Sequence, residues 1–406
     1  MRAINLPSKR LVLSYIFDWI VIIAIAALGG GWEFLTPFHR PFSPVDLTIS
    51  FPFENDETIP TWLLAVVALV IPAAITFIVC LVLVPGPTAS RGTPQSLIWR
   101  RKMWEWNTAW MGLALSLATA FMITQGMKLL FGKPRPDFLS RCRPDLSRIR
   151  ETAVNPIGED FNPLWVLVTS EICTNTDDDI LQDGFKSFPS GHASFSWAGL
   201  LYLTLFLASK FAVAIPFLPH RPFSTDPAHS SAITPSNLRN YSKSLLPSHH
   251  KETGFSSSSA SESVVPIRYQ AAAPPVYTLV LVLIPFTSAI YITSTRFTDF
   301  RHHGFDLIFG SMIGILTAWF SFRWYHLPIS RGAGWAWGPR SYERAWGIGV
   351  GVGSYVGTEG WSHKGESETD PHGHGLGNGI ELNERAGTTE SQRPLDERRY
   401  EGHHAV

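Results

Sequence analysis

The sequence predicts an all-α, polytopic membrane protein with six transmembrane helices. Three observations lead there. Charged residues are 16% of the chain, where a soluble domain carries about 25%. Six stretches are apolar over close to the ~20 residues that a helix needs to cross a bilayer. Trp32, Trp62, Trp104, Trp106 and Trp324 gather at the ends of those stretches, at the headgroup level where amphipathic rings settle.

The spans run near Leu11–Leu28, Trp62–Val84, Ala109–Leu130, Ala193–Phe217, Tyr277–Thr295 and Phe305–Trp324. The first also has the look of a signal peptide. Its apolar run is long, however, and Gly29–Gly31 followed by Trp32 offers no clean small-x-small cleavage site, so it reads as a retained helix. Short loops set the orientation. Arg2, Lys9 and Arg10 precede span one, and Arg91, Arg100, Arg101 and Lys102 precede span three. Glu33, Asp46, Glu54, Asp56 and Glu57 lie between spans one and two. The positive-inside rule therefore places both termini in the cytosol and the loop Phe131–Pro189 on the lumenal or extracellular side. Residues 1–326 form the membrane domain. His220–Ala273, rich in Ser, Pro and His, reads as a flexible cytosolic insert, and residues 327–406 as a mostly disordered cytosolic tail.

The averages conceal this segregation. The 406 residues include 33 basic and 33 acidic side chains for a net charge of zero, and mean hydropathy is +0.08. Balanced charge argues against a nucleic-acid binder with a strong basic bias. Three Cys exclude a disulfide scaffold, and 15 Trp with 26 Phe exclude a wholly disordered chain.

Three clusters carry chemistry, all at the non-cytosolic ends of spans. Lys128 and Arg135-Pro136, with Lys133 between them, close span three. Cations at a membrane exit commonly snorkel. On the side where cations are disfavoured, several together call for an anion such as phosphate. Phe188-Pro189-Ser190-Gly191-His192 opens span four. Ser190 suits a helix cap, Gly191 admits close backbone approach, and the free N–H groups of the helix start attract an anion beside His192. Arg296, His302 and Asp306 join spans five and six. On a helix His302 and Asp306 share a face, so Asp306 is expected to fix the His302 tautomer and leave its other nitrogen as a nucleophile. His303 reads as structural or secondary, and Asp299 as a partner of Arg301 or Arg296.

In this order, Lys-x6-Arg-Pro, Pro-Ser-Gly-His and Arg-x5-His-x3-Asp resemble the motifs of the type 2 phosphatidic acid phosphatase superfamily. Within it, Lys133–Leu139, Arg141-Cys142 and Asp299–His303 resemble the phosphatidate and diacylglycerol-pyrophosphate branch of the integral-membrane lipid phosphate phosphatases. The resemblance covers roughly Leu11–Tyr325, and Thr295 stands where the family usually has Ser. It implies a haloperoxidase-like helical bundle and a phospholipid phosphate as substrate, held at the lipid bilayer, with no metal and no cofactor. It also implies roles. Lys128, Arg135 and Arg296 bind phosphate oxygens, helped by Ser190 and the Gly191 amide. His302 attacks phosphorus, Asp306 orients it, and His192 protonates the leaving oxygen and then activates water. A lipid phosphotransferase of the sphingolipid headgroup synthase type, a polyprenyl or sphingoid phosphate phosphatase, and a catalytically silent lipid-binding protein are the alternatives.

Lesser features have plainer readings. Asp177-Asp178-Asp179 reads as a solvated loop and Asp18 as an interfacial acid. Cys142 and Cys173 share the outer loop as a disulfide or as free thiols. The sequence names no protein partner.

Overall fold

The computed structural model describes residues 8–217 (except 55, 156, 157, 159–161 and 163), 272–330, 334–340 and 345–346. The insert falls almost wholly outside these residues, as does most of the tail. Six long helices form the bundle: α1 (Lys9–Glu33), α2 (Thr61–Leu83), α3 (Gln95–Phe131), α4 (Gly191–Lys210), α5 (Val276–Thr298) and α6 (Gly304–Tyr325). Five of them, all but α4, are long and apolar enough to cross a membrane. At 20 residues α4 has the length to cross. It falls outside the apolar set because it carries His192, Ser194, Ser196, Thr204 and Ser209, and it tolerates them because protein surrounds it. Helices α3, α5 and α6 pack around it. The outward faces of α1, α2, α5 and α6 leave Leu13, Ile23, Val82, Ile284, Leu316 and Trp319 exposed, as lipid-facing positions require. The protein is a multi-pass membrane protein.

Small residues let the central helices approach closely. Gly310 and Gly314 of α6 are four apart and lie against α4. A Cβ on Gly310 would meet Ser190 O at 2.6 Å, and one on Gly314 would meet Ser194 O at 2.4 Å. This small-xxx-small stripe brings two backbones together where hydrophobic burial cannot drive association. Polar side chains then tie helix to helix. Tyr202 Oη donates to Ala109 O at 2.9 Å, Ser116 Oγ to Ala198 O at 2.9 Å, and Thr124 Oγ1 to Ser194 Oγ at 2.7 Å. Helix α3 is longer than the expected span, starting at Gln95 rather than near Ala109. Its basic first turns continue the helix beyond the apolar segment. It ends at Gly132, whose φ of 52° is left-handed and whose missing Cβ would lie 1.6 Å from Phe38 O. Only glycine fits there, and the turn sends Lys133-Pro134-Arg135 over the bundle mouth.

Outside the membrane, Phe138, Phe185, Val168 and Ile172 of the loop between α3 and α4 form a small core with Phe42 from the connection between α1 and α2. Cys142 and Cys173 are disulfide-bonded. The bond closes a loop of 31 residues, beside Arg141, whose carbonyl accepts from Asn175 Nδ2 at 2.8 Å. Replacing both cysteines with Ser should cost about 2–4 kcal/mol of stability. Thermal melting in detergent, with and without reductant, measures it, and the double variant should be insensitive to reductant.

The start of the tail differs from the expected disorder. Trp337 N donates to Tyr325 O at 3.0 Å, and Trp104 Nε1 donates to Trp337 O at 2.8 Å. The Ala336 amide donates to buried Glu105 at 3.0 Å, and Glu105 also pairs with Lys210. Asp18 pairs with Arg340, so this interfacial acid holds the tail against α1. Residues 334–340 thus cover the end of the bundle opposite the three clusters.

Candidate active site

Three chain segments converge at the other end. The α3 exit supplies Lys128 and Arg135, the start of α4 supplies Ser190, Gly191 and His192, the last turn of α5 supplies Arg296, and the turn that follows it supplies His302. A Cβ on Gly191 would sit 3.2 Å from Lys128 Nζ, so the ammonium lies on the backbone of the helix start. Ser190 caps α4, its Oγ accepting from Ala193 N at 3.4 Å. The Gly191 and His192 amides have no hydrogen-bond partner among the described residues. Two N–H groups at a helix start, beside an ammonium that also makes no hydrogen bond there, form an anion site.

His302 is buried, 3% exposed. Its Nδ1 lies 2.7 Å from Ser187 O. A carbonyl only accepts, so Nδ1 carries the proton and Nε2 keeps its lone pair. Burial first, and then the charges of Arg135, Arg296 and Lys128, press its pKa well below the ordinary 6.5. The imidazole is therefore neutral at neutral pH, with the lone pair of Nε2 available.

Asp306 departs from expectation: its carboxylate does not hold His302. Helix α6 begins only at Gly304, with His303 as its N-cap. His302 therefore lies in the preceding turn, where four-residue helical spacing does not apply. There the Arg301 and His302 amides donate back to Arg296 O at 3.2 and 3.3 Å. Fully buried Asp306 accepts from Lys133 Nζ at 2.8 Å and Ser187 Oγ at 2.6 Å. It also accepts from His303 N at 3.1 Å, and lies 3.3 Å from His303 Nδ1, in a reciprocal cap. His303 serves as the N-cap of α6. On the far side of the site, His192 Nε2 lies 2.9 Å from Ile59 O. By the same carbonyl argument its Nδ1 is the nitrogen left for chemistry.

The match to known families agrees with this convergence. The model of the PAP2 superfamily matches residues 109–219 and 215–329. The chain belongs to the PAP2 superfamily. Over 313 residues it is 28% identical to a probable diacylglycerol pyrophosphate phosphatase 1 of Schizosaccharomyces pombe, covering 77% of this chain and 81% of that protein. It is 27% identical over 313 residues to diacylglycerol pyrophosphate phosphatase 1 of Saccharomyces cerevisiae, covering 77% and 80%. It is 25% identical over 346 residues to lipid phosphate phosphatase 1 of Arabidopsis thaliana, covering 85% and 78%. No solved structure matches the chain.

In this PAP2 chain Arg135 and Arg296 are the ends of a chain of alternating charges. Arg135 Nη2 pairs with Asp183 at 2.7 Å, Asp183 with Arg141 Nη1 at 2.9 Å, and Arg141 Nη2 with Asp137 at 2.9 Å. Asp137 lies 3.9 Å from Arg301 Nη1, Arg301 Nη2 lies 3.4 Å from Glu57, and Glu57 lies 3.3 Å from Arg296 Nη1. Asp299 joins the far end, accepting from Arg296 at 3.4 Å and from Thr58 Oγ1 at 2.7 Å. The Phe53 ring lies 4.4 Å from the Arg141 guanidinium and 5.0 Å from that of Arg301. Burial would raise the pKa of Asp183, but Arg135 and Arg141 outweigh it and hold the carboxylate at about 2. Sequence reasoning assigned no role to Asp183, Glu57, Asp137 or Ser187. The Lys133–Cys142 and Asp299–His303 stretches were the available signal, since they contain Asp137, Arg141 and Arg301.

The acidic run has a structural use. Asp177 caps the short helix Asp178–Gly184, accepting from Ile180 N, and that helix delivers Asp183. Among the described residues, no group of three or more His, Cys, Asp and Glu side chains is arranged to hold a metal ion.

Proposed function

We propose that the chain is a lipid phosphate phosphatase that removes phosphate from phosphatidate, lysophosphatidate or diacylglycerol pyrophosphate through a phosphohistidine. The observation that carries this reading is the neutral, carbonyl-held His302 ringed by Lys128, Arg135 and Arg296. The cations and the Gly191 and His192 amides bind the phosphoryl oxygens and stabilise their charge in the transition state. His302 Nε2 forms a bond to phosphorus as the bond to the lipid oxygen breaks. The substrate phosphate, arriving as its monoanion, passes its proton to His192 Nδ1, and Nδ1 gives that proton to the departing lipid oxygen. Water then attacks phosphorus, His192 Nδ1 takes its proton, the N–P bond breaks, and phosphate leaves. Fixed side-chain cations supply the charge neutralisation for both steps. The names of the relatives support a lipid phosphate or pyrophosphate headgroup, and a site at the bundle mouth lets acyl chains stay in the bilayer.

Phosphate release should be measured from phosphatidate, lysophosphatidate and diacylglycerol pyrophosphate in detergent micelles, with and without EDTA. We expect release from at least one of them, with EDTA changing the rate less than twofold. A strict magnesium requirement overturns the mechanism, and silence on all three overturns the substrate class.

The active site is proposed to face the lumen or exterior of a secretory-pathway, vacuolar or plasma membrane, with both termini cytosolic. Lys9, Arg10, Arg100 and Arg101 lie at the opposite end of the bundle from His302, which supports that sidedness. In sealed right-side-out vesicles, a tag at Val406 should resist external protease. Its cleavage would reverse the topology.

A further inference from the structure

We infer that Ser187 is the positioning residue through which Asp306 acts on His302. The inference rests on the reading of His302 as nucleophile. Every hydrogen bond around Ser187 belongs to the same assembly. Its carbonyl holds His302 Nδ1 at 2.7 Å, and its hydroxyl donates to Asp306 at 2.6 Å. Its amide donates to Lys133 O at 3.1 Å, and Lys133 Nζ reaches the other oxygen of Asp306 at 2.8 Å. Ser187, Lys133 and Asp306 thus close a ring of hydrogen bonds that fixes the peptide against which His302 rests. The Asp306 carbonyl accepts from Ser190 N at 3.0 Å, so one residue of α6 pins both ends of the Ser187–Ser190 loop. Ser187, Ser190 and Asp306 are all fully buried, so water does not replace a lost partner.

This arrangement explains how an Asp that makes no hydrogen bond to the nucleophile still controls it. If the loop relaxes, the Ser187 carbonyl drifts, the His302 ring turns, and Nε2 loses its aim at phosphorus. The attack geometry tolerates little error: a misplacement of about 1 Å can cost roughly a hundredfold in rate. Arg135 and Arg296 are held by Asp183 and Glu57 instead, and stay in place. The loss should therefore fall on kcat.

The test is a double-mutant cycle of Ser187→Ala and Asp306→Asn, with Ser187→Thr as the variant that keeps the hydroxyl. Each single substitution should lower kcat ten- to a hundredfold with KM changed less than threefold. The inhibition constant for inorganic phosphate, a probe of the cation pocket, should also move less than threefold. The double variant should lose little more than the worse single one, because both act on one path. Ser187→Thr should recover activity over Ser187→Ala. Multiplicative losses in the cycle, or a silent Ser187→Ala, overturn the relay. Equal weakening of phosphate inhibition also overturns it, since that marks general collapse of the site. His302→Ala, measured alongside, separates the two ideas. Activity in that variant sinks the nucleophile reading, whereas its inactivity together with multiplicative losses sinks only the relay.

Discussion

His302→Ala should abolish phosphate release from phosphatidate, with kcat/KM falling at least about a thousandfold, on the order of 4 kcal/mol of transition-state stabilisation. The variant keeps Lys128, Arg135 and Arg296, so inorganic phosphate should still protect the site. In the proposed mechanism it loses the atom that would bond to phosphorus, which no neighbour replaces. His192 faces Ile59 O on the other side of the pocket, and His303 is bound into the cap of α6. A short pulse of radiolabelled substrate, quenched in alkali where phosphohistidine survives, should label the wild type and not the variant. Full turnover in the variant defeats the mechanism.

The same residue sets a pH signature. Only the neutral imidazole attacks, and burial with three nearby cations moves its protonation well below 6.5. Loss of activity through His302 protonation should therefore begin below that pH. Phosphate-protectable inactivation by diethylpyrocarbonate, which needs a neutral imidazole, should have its midpoint below 6.5 and shift upward in Arg135→Gln. Stability follows the same sign. As pH falls below about 6.5, the unfolded chain takes up a proton at this histidine before the folded chain does, so acid weakens the fold. A wild-type midpoint at or above 6.5 contradicts this account of the site.

What could be read in the sequence was local. Apolar runs marked the spans, because a lipid-facing helix must be apolar over its whole crossing. Helix α4 shows the limit of that signal: its polar residues face protein, so hydropathy alone undervalues it. Motif spacing placed Lys128, Arg135, His192, Arg296 and His302 at one face, and the fold brings their segments together. The Asp306 contact was misjudged because i,i+4 geometry holds only inside a helix, and α6 starts two residues after His302. Glu57 and Asp183 were invisible for another reason. Their partners lie 239 and 48 residues away in the chain, and no spacing rule links an acid in one loop to an arginine in another. The docking of residues 334–340 on Glu105 and Asp18 was hidden likewise, since a Gly- and Trp-rich segment has no periodicity to announce its partner.

Those long-range pairs explain why the pocket keeps its charge. Arg135 and Arg296 are buried, and guanidinium groups packed near each other repel unless carboxylates intervene. The alternating series from Asp183 through Asp137 to Glu57 supplies them.

Asp137→Ala is accordingly expected to be the most damaging substitution outside the reacting groups. Asp137 is fully buried, and its Oδ2 is approached by Arg141 at 2.9 Å and Arg301 at 3.9 Å. Those two cations share the Phe53 ring, so both sit in a confined apolar setting. Burial and the neighbouring Arg141 already hold the pKa of Arg301 below its ordinary value. Removing the carboxylate leaves two buried guanidiniums facing each other, and breaking a buried pair this way costs roughly 3–5 kcal/mol. The damage should spread along the series, because Arg141 also steadies Asp183 and through it Arg135. We expect a melting temperature in detergent well below that of the wild type, and a kcat/KM at least tenfold lower at a temperature where the variant is still folded. Asp137→Asn keeps an acceptor oxygen without the charge and should fall between the two. The double variant Asp137→Ala, Arg141→Leu removes one stranded cation with its partner and should regain part of the lost stability. If Asp137→Ala melts like the wild type, the charge series is not what holds the two arginines. If the double variant is less stable than Asp137→Ala, the stranded cations are not the source of the loss.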